Sequence, residues 1–175
     1  KLPSHDRTSI GNPTPRYEFG LTLGLQWKGI DFSAFFQGVG KKDVYYSGAG
    51  ARALCGNYTI YKYQFDYWTP ENPDAKFPRL LEDPNATNPN NMISSFWVKS
   101  GAYCRLKNIV LGYTLPSSIT KAAHISKLRV YASAQNLFTI KDNFYEGFDP
   151  ENSVSSGASL YPLNKTFVFG LNVEF

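Results

Sequence analysis

Long runs with a strict period of two dominate this chain of 175 residues. Between Arg16 and Trp27, large apolar side chains occupy the odd positions, and small or polar residues occupy the even ones. Such alternation predicts a β-strand with one apolar and one polar face. Similar runs recur at 30–40, 102–115, 127–140 and 166–175, with single exceptions such as Phe35. The pattern therefore predicts strands that each present two chemically different faces.

The connections between these runs alternate in length. Lys28-Gly29 and 116–126 are short, whereas 41–101 and 141–165 are long. In an up-and-down meander, connections of like length then lie at the same end of the sheet, as short periplasmic turns and long extracellular loops do in outer-membrane barrels. The runs of roughly 10 to 14 residues also agree with the ~9–11 that a tilted membrane strand needs. We therefore predict an all-β fold, an antiparallel up-and-down transmembrane β-barrel.

This prediction divides the chain into wall and loop segments. We expect 1–15 to end an extracellular loop, 16–40 to form a hairpin of the wall, and 41–101 to form a long extracellular loop. Segment 102–140 then supplies two strands joined by a periplasmic turn at 116–126. Segment 141–165 is expected to be another extracellular loop, and 166–175 the C-terminal strand.

Composition excludes several classes of protein. Aromatic residues make up 16 % of the chain and charged residues 18 %, so the chain has enough apolar surface to bury, and disorder is excluded. The net charge of +4 comes from scattered Lys and Arg residues and gives no support for nucleic-acid binding. His5 and His124 have no metal-binding spacing around them. We predict no enzyme activity, no metal site and no cofactor.

Aromatic placement favours lipid over water for the apolar face. Parity alone leaves open a soluble, secreted β-sandwich that binds glycans. Tyr and Trp at both ends of the apolar runs, however, are typical of membrane-interface girdles. Arg105 and Lys107 are predicted on the same face near the outer rim, within reach of lipopolysaccharide phosphates. The predicted lipid-facing residues are Tyr17, Phe19, Leu21, Leu23, Leu25, Trp27, Phe32, Phe36, Ile109, Leu111, Tyr113, Phe167, Phe169, Leu171, Val173 and Phe175.

The opposite parity is predicted to face the barrel lumen, where side chains meet water, a plug or cargo. Five strands do not close a barrel, because single-chain bacterial barrels have even strand numbers from about eight upward. We therefore expect a C-terminal piece of a larger barrel, complete at Phe175 and truncated at its start. The predicted lumen-facing residues are Arg16, Glu18, Gln26, Asp31, Gln37, Arg129, Tyr131 and Gln135.

Several segments, in order, resemble one family from about Asn12 to Phe175. They are Pro15-Arg16-Tyr17 with Gly29-Ile30-Asp31, DYWTPENPDAKFPRL at 66–80, SGAYCRLKNIVLGYTLP at 100–116, RVYASAQNLFTI, GFDPE at 147–151 and YPLNKTFVFGLNVEF. Together they are similar to the C-terminal end of SusC/RagA-type TonB-dependent transporters of Bacteroidetes outer membranes. The resemblance implies a 22-stranded barrel around a plug, of which this chain would supply the last five strands.

The resemblance also implies function and partners. Members of this family import oligosaccharides or peptides across the outer membrane of Gram-negative bacteria. A SusD-like surface lipoprotein caps the barrel, and TonB supplies energy through an N-terminal part that this chain lacks. A passive porin is the other alternative, although porins have no need of a surface on which a lipoprotein docks.

Two sets of residues in or near the first long loop are candidate sites, with Cys104 near the outer end of the third strand. The run Tyr61, Tyr63, Phe65, Tyr67 and Trp68 offers flat apolar faces with polar edges to cargo or to the lid. The alternatives are that these rings pack the loop on itself or that they extend a strand beyond the membrane. Cys55 and Cys104 would both face an oxidising exterior, where disulfides persist. A Cys55–Cys104 bridge would close a loop of some fifty residues, worth about 4 kcal/mol, with two free thiols as the alternative.

Overall fold

The computed structural model describes residues 8–47, 53–54, 60–81, 90, 93–142, 149–151 and 163–175. No helix in these ranges is both long enough and apolar enough to span a bilayer. The helical elements are a short helix, α1 (Ser117–Thr120), and 3₁₀ turns at Lys62–Phe65, Ser95–Trp97 and Lys121–Ala123. The strands are β1 (Tyr17–Trp27), β2 (Ile30–Gly40), β3 (Asp43–Tyr45), β4 (Val98–Ser100), β5 (Tyr103–Thr114), β6 (Lys127–Lys141) and β7 (Thr166–Glu174).

The chain divides into two compact units. The sheet unit comprises Arg16–Gly40, Tyr103–Lys141 and Leu163–Phe175, and the loop unit comprises Lys1–Pro15, Lys41–Ala102 and Asp142–Pro162. In the sheet unit, β1, β2, β5, β6 and β7 form one five-stranded sheet in that order, and every neighbouring pair is antiparallel. The predicted up-and-down antiparallel sheet is thus confirmed for the described residues.

A tight turn joins the first two strands. Lys28 and Gly29 have φ angles of 47° and 86°, and positive φ at both central positions is what a type I′ hairpin turn requires. The Gly29 carbonyl accepts a hydrogen bond of 2.7 Å from the Thr114 amide of β5. The turn is therefore anchored to the third strand of the sheet as well as to its own hairpin.

The register places most of the large apolar residues of the sheet on a common face, whereas Phe35 and Val168 lie on the opposite one. Leu21, Leu23 and Leu25 stand opposite Phe36, Ala34 and Phe32 of β2, and the rows continue across β5 and β6 to β7. Along β1, these side chains are 46–61 % exposed. The members of this apolar face beyond β1 and β2 are Leu106, Ile109, Leu111, Tyr113, Leu128, Val130, Ala132, Ala134, Phe138, Ile140, Phe167, Phe169, Leu171 and Val173.

A β-bulge at Lys107 changes the parity of β5. Between neighbouring rows β2 advances one residue, from Phe35 to Phe36, whereas β5 passes from Asn108 to Leu106, so Lys107 is extra. An extra residue turns every later side chain to the opposite face. The predicted placement of Arg105 beside Ile109 on the outer face is therefore wrong. Arg105 lies on the polar face, 2 % exposed, and its Nε donates to Thr139 Oγ1 at 2.7 Å.

The loop unit has its own small core. Phe77 and Trp97 are buried there, 4 % and 5 % exposed, with Tyr45, Tyr46, Tyr63 and Tyr67 packed against them. The two-stranded ladder of β3 and β4 runs beside the 3₁₀ turn that carries Trp97. The Trp97 indole N–H donates to the Asn90 carbonyl at 3.0 Å. The long loop therefore contains a packed hydrophobic nucleus.

Candidate functional site

The polar face of the sheet carries the residues that the sequence assigns to a lumen. The register places Glu18, Gln26, Asp31, Gln37, Arg129, Tyr131 and Gln135 on this one face, and Arg16 directly precedes β1. Most of the sheet's charged and amide side chains thus face away from the leucines and phenylalanines. The two faces of the sheet unit are chemically distinct.

An ion pair bridges three strands on this polar face. Arg129 of β6 donates through Nε to Asp31 Oδ1 of β2 at 2.8 Å, and its Nη2 bonds to Oδ2 of the same carboxylate. The intervening strand contributes Gly112, the direct partner of both Asp31 and Tyr131. A Cβ atom at Gly112 would overlap the carboxylate and the guanidinium. Glycine at this position therefore allows the bidentate pair to cross β5.

Tyr131 extends the cluster toward β7. The Arg129 guanidinium carbon lies 4.9 Å from the centre of the Tyr131 ring, a cation–π contact. The ring in turn lies over Gly170, where a Cβ atom would overlap it. The row Asp31–Gly112–Tyr131–Gly170 is thus held by an ion pair, a cation–π contact and an aromatic–glycine contact. Such an arrangement braces a wall and presents polar groups, and it contains no nucleophile activated by a base.

The loop aromatics divide into packed and exposed rings. Tyr61 stacks on Tyr63 at a centroid separation of 5.7 Å, and Tyr63 lies 6.0 Å from Phe77. Tyr67 packs against the same loop core. Phe65 and Trp68 are 62 % and 38 % exposed. The loop-packing alternative therefore describes the three tyrosines, and the two exposed rings are the remaining candidates for contact with cargo or with a lid.

The segment that carries Tyr63 and Phe65 is a 3₁₀ turn and not an extended strand. The Gln64 amide donates to the Tyr61 carbonyl at 2.9 Å, and Gln64 Oε1 accepts from the Tyr61 amide at 2.8 Å. Gln64 is 1 % exposed. This reciprocal pairing closes the turn at Lys62–Phe65, so the alternative of a strand prolonged beyond the membrane is wrong.

Asp66 shapes the turn-rich segment that follows. Its carboxylate accepts from the Asn72 side-chain amide at 3.1 Å and from the Lys76 amide at 3.3 Å. Its carbonyl accepts from the Phe77 amide, and the Trp68 amide donates to the Phe77 carbonyl, each at 2.9 Å. These bonds set the segment that begins at Tyr67 alongside the one that begins at Phe77, as a parallel bridge between those two residues shows.

A cavity of about 360 Å³ lies between these two segments. It combines the exposed Trp68 ring with a carboxylate from Glu71 and a guanidinium from Arg79. No ion pair or hydrogen bond involves either charged side chain within the described part of the chain. Such a combination can bind a ligand that has a flat apolar body and polar or charged groups. The lining residues are Tyr67, Trp68, Thr69, Pro70, Glu71, Arg79 and Leu80.

Burial changes the ionisation of two tyrosines in the loop unit. It raises the pKa of the Tyr63 phenol above its ordinary range, and the neighbouring Tyr61 adds to the shift. It also raises the pKa of Tyr46, with a further contribution from the carboxylate of Asp142. Both shifts follow from the cost of placing a phenolate in a desolvated site.

The remaining candidate features are metal ligands and the two cysteines. No group of three or more His, Cys, Asp or Glu side chains in the described ranges is placed to hold a metal ion. Cys104 is half-buried in β5 and has no disulfide partner among the described residues. Cys55, its predicted partner, lies outside the described residues, so the bridge stays a prediction.

Comparisons with known proteins extend over the whole chain, although no family model matches it. The TonB-dependent receptor P3 of Formosa agariphila is 32 % identical over all of this chain, which covers 18 % of that receptor. The TonB-dependent receptor SusC of Bacteroides thetaiotaomicron is 27 % identical over 99 % of the chain and 16 % of its own length. The chain thus spans under a fifth of the length of these curated relatives.

Solved structures give the same result. A structure of the RagAB peptide transporter matches all of this chain with a TM-score of 0.73 and 27 % identity, over 19 % of its own chain. The RagAB peptide importer in an "open-open" state matches 94 % of the chain with a TM-score of 0.69 and 29 % identity. Sequence, sheet order and fold agree with the resemblance found in the motifs: over its whole length this chain is similar to one part of TonB-dependent receptors of the SusC and RagA type.

Proposed function

We propose that this chain is part of the wall and outer loops of an outer-membrane barrel that imports oligosaccharides or peptides. The observation that carries the proposal is the division of one sheet into an exposed apolar face and a polar face. Large apolar side chains that stand 46–61 % exposed along β1 are costly in water and are expected where lipid is the solvent. The polar face then borders the lumen.

Partners follow from the same proposal. A SusD-like lipoprotein would cap the outer end of the barrel, and the RagAB structures support a two-protein assembly among the neighbours of this chain. A plug from the same polypeptide would contact the Asp31–Arg129 cluster, and TonB would energise transport from the inner membrane. Trp68, Phe65 and the charged side chains of the loop cavity are the proposed contacts with cargo or with the lid.

Two alternatives are disfavoured by specific observations. A glycan-binding β-sandwich packs two sheets face to face, whereas the sheet unit contains a single sheet whose apolar side chains are exposed. A passive porin is disfavoured because the curated relatives are TonB-dependent receptors.

Fractionation of the native host tests the membrane assignment. The complete protein should pellet with the outer membrane, resist extraction by salt and high pH, and dissolve only in detergent. A tagged copy should retain a SusD-like lipoprotein through purification in mild detergent. Recovery of the full protein in a detergent-free soluble fraction would overturn the proposal.

Uptake measurements test the import step. Deletion of the gene should abolish growth on one oligosaccharide or peptide mixture in a substrate panel, and the intact gene should restore it. A Trp68→Ala copy should restore growth less well than an Ile93→Ala copy, because Ile93 is an exposed loop residue outside the cavity. Equal rescue by the two variants would remove Trp68 from the proposed contacts, and wild-type growth of the deletion strain on every substrate would contradict import.

A further inference from the structure

The cavity of about 360 Å³ in the loop unit has a hydrogen-bonded frame. One side is a four-residue turn, in which the Asn72 amide donates to the Thr69 carbonyl at 3.0 Å and lies 3.1 Å from Thr69 Oγ1. Pro70 occupies the second position of that turn, where its fixed φ angle is favourable. On the other side, the Arg79 carbonyl accepts from the Asn90 side-chain amide at 3.0 Å. The frame is therefore in place before a ligand arrives.

Three groups in the lining offer three kinds of contact. The Trp68 ring is 38 % exposed, the Glu71 carboxylate lies in the turn, and the Arg79 guanidinium comes from the facing segment. Among the described residues, neither charged side chain forms an ion pair or a hydrogen bond, so both are available to a ligand. The volume is near the lower end of the usual range for ligand sites, which suits one ring-sized unit of a longer cargo.

The opposite charges of the two side chains select against an ionic ligand. An anion is attracted by Arg79 but repelled by Glu71, and a cation meets the reverse. A carboxylate only accepts hydrogen bonds and a guanidinium only donates them. A neutral ligand satisfies both if it carries donors and acceptors side by side. Hydroxyl groups do so, because each one both donates and accepts.

The Trp68 ring selects between the two neutral cargo classes. One face of a sugar ring carries C–H groups that pack on an aromatic ring, and its edge carries neighbouring hydroxyls. In an extended peptide, the N–H and C=O groups leave the backbone sideways in opposite directions, away from a side chain that would stack on Trp68. A sugar ring therefore presents all three contacts from one small body.

We propose that this cavity is a subsite for one neutral sugar ring of an oligosaccharide cargo. The ring stacks on Trp68, one hydroxyl donates to Glu71, and a neighbouring hydroxyl accepts from Arg79. The inference rests on the proposed function, because it presupposes a cargo to import. It goes further by assigning the cavity to cargo and not to the lid, and by naming neutral saccharides as the class.

Isothermal titration calorimetry with the complete protein, purified in mild detergent, tests this subsite. The probes are neutral hexasaccharides of glucose, mannose, galactose and xylose, together with hexagalacturonate and a neutral hexapeptide that contains proline. At least one neutral hexasaccharide should bind, and hexagalacturonate and the peptide should bind at least about tenfold more weakly. Tighter binding of the anion or the peptide, or no binding by any neutral hexasaccharide, would overturn the proposal.

Variants of the three contact residues give a pattern of signs. Trp68→Ala should raise the Kd of the bound hexasaccharide at least about tenfold. Glu71→Gln and Arg79→Gln should each raise it about threefold or more, because each replaces a charge-assisted hydrogen bond with a weaker one. Ile93→Ala, at an exposed loop position outside the cavity, should leave it unchanged. A hexasaccharide Kd that is equal in wild type and Trp68→Ala, or that falls in either charge variant, would overturn the subsite.

Retention of the lipoprotein separates cargo from lid. The three variants should retain as much SusD-like lipoprotein as the wild type does. Loss of the lipoprotein from Trp68→Ala with an unchanged hexasaccharide Kd would assign the cavity to the lid and overturn the subsite, while import would stand. Failure of the proposed function is a separate result, namely wild-type growth of the deletion strain on every substrate.

Discussion

Replacing Phe77 with alanine should destabilise the loop unit and leave the sheet unchanged. Phe77 is 4 % exposed, its ring packs against Tyr63, and its backbone bonds to both Asp66 and Trp68. Truncating a buried phenylalanine costs about 3–5 kcal/mol through lost transfer energy and the cavity that remains. Each ~1.4 kcal/mol is a factor of ten in an equilibrium, so the open form of this core should become at least about 100-fold more populated.

Amide hydrogen exchange reads this population directly, because loop amides exchange through local opening. The Trp68 amide, which donates to the Phe77 carbonyl, should exchange at least about 100-fold faster in Phe77→Ala. Phe65→Ala is the matched control. Phe65 is 62 % exposed, and its truncation should change the rate by less than about threefold. Similar exchange rates in the two variants would refute the assignment of Phe77 to a loop core.

Other predictions concern the polar face, the buried tyrosines and the cysteines. Gly112→Ala should destabilise the protein by about 1–3 kcal/mol in urea unfolding, because the new methyl group meets the Asp31–Arg129 ion pair. Gly24→Ala should not destabilise it, since nothing lies within 4 Å of the new Cβ atom. Equal urea midpoints for the two variants would contradict this reasoning. Burial raises the Tyr63 pKa, so the folded loop binds that proton more tightly. The contribution of this proton to the stability of the loop is complete below about pH 10 and falls above it. Absorbance at 295 nm should show one phenol that ionises later than the others. A Tyr63→Phe variant should lack that late phase, and an unchanged titration would contradict the assignment. Intact mass with alkylation should show Cys55 and Cys104 blocked until reductant is added, and two alkylated thiols in oxidised protein would exclude the bridge.

Residues of β1 show what alternation predicts well. Six large apolar residues at a strict period of two predict that Leu21, Leu23 and Leu25 share one face of the strand. The register of the sheet places them on one face. The antiparallel order followed from connection lengths, because short links constrain neighbours. These features depend on local pattern and chain connectivity, which the sequence contains.

Arg105 and Gln64 show where local pattern is insufficient. The bulge at Lys107 is set by pairing with β2 and β6, so no period within β5 alone reveals that Arg105 changes face. Alternating rings from Tyr61 to Tyr67 suggest a strand, yet the Gln64 side chain bonds back to the Tyr61 amide and favours a turn. The Arg129–Asp31 pair joins residues 98 positions apart and likewise depends on tertiary placement.

The central claim is that the apolar face of the sheet meets lipid and the polar face does not. Nitroxide labels introduced singly at each position from Tyr17 to Trp27, in the complete protein reconstituted into bilayers, test it most directly. Accessibility to oxygen, which concentrates in lipid, should alternate with a period of two and be highest at Phe19, Leu21, Leu23 and Leu25. High accessibility to a water-soluble nickel chelate at those four positions, or the opposite parity, would contradict the account.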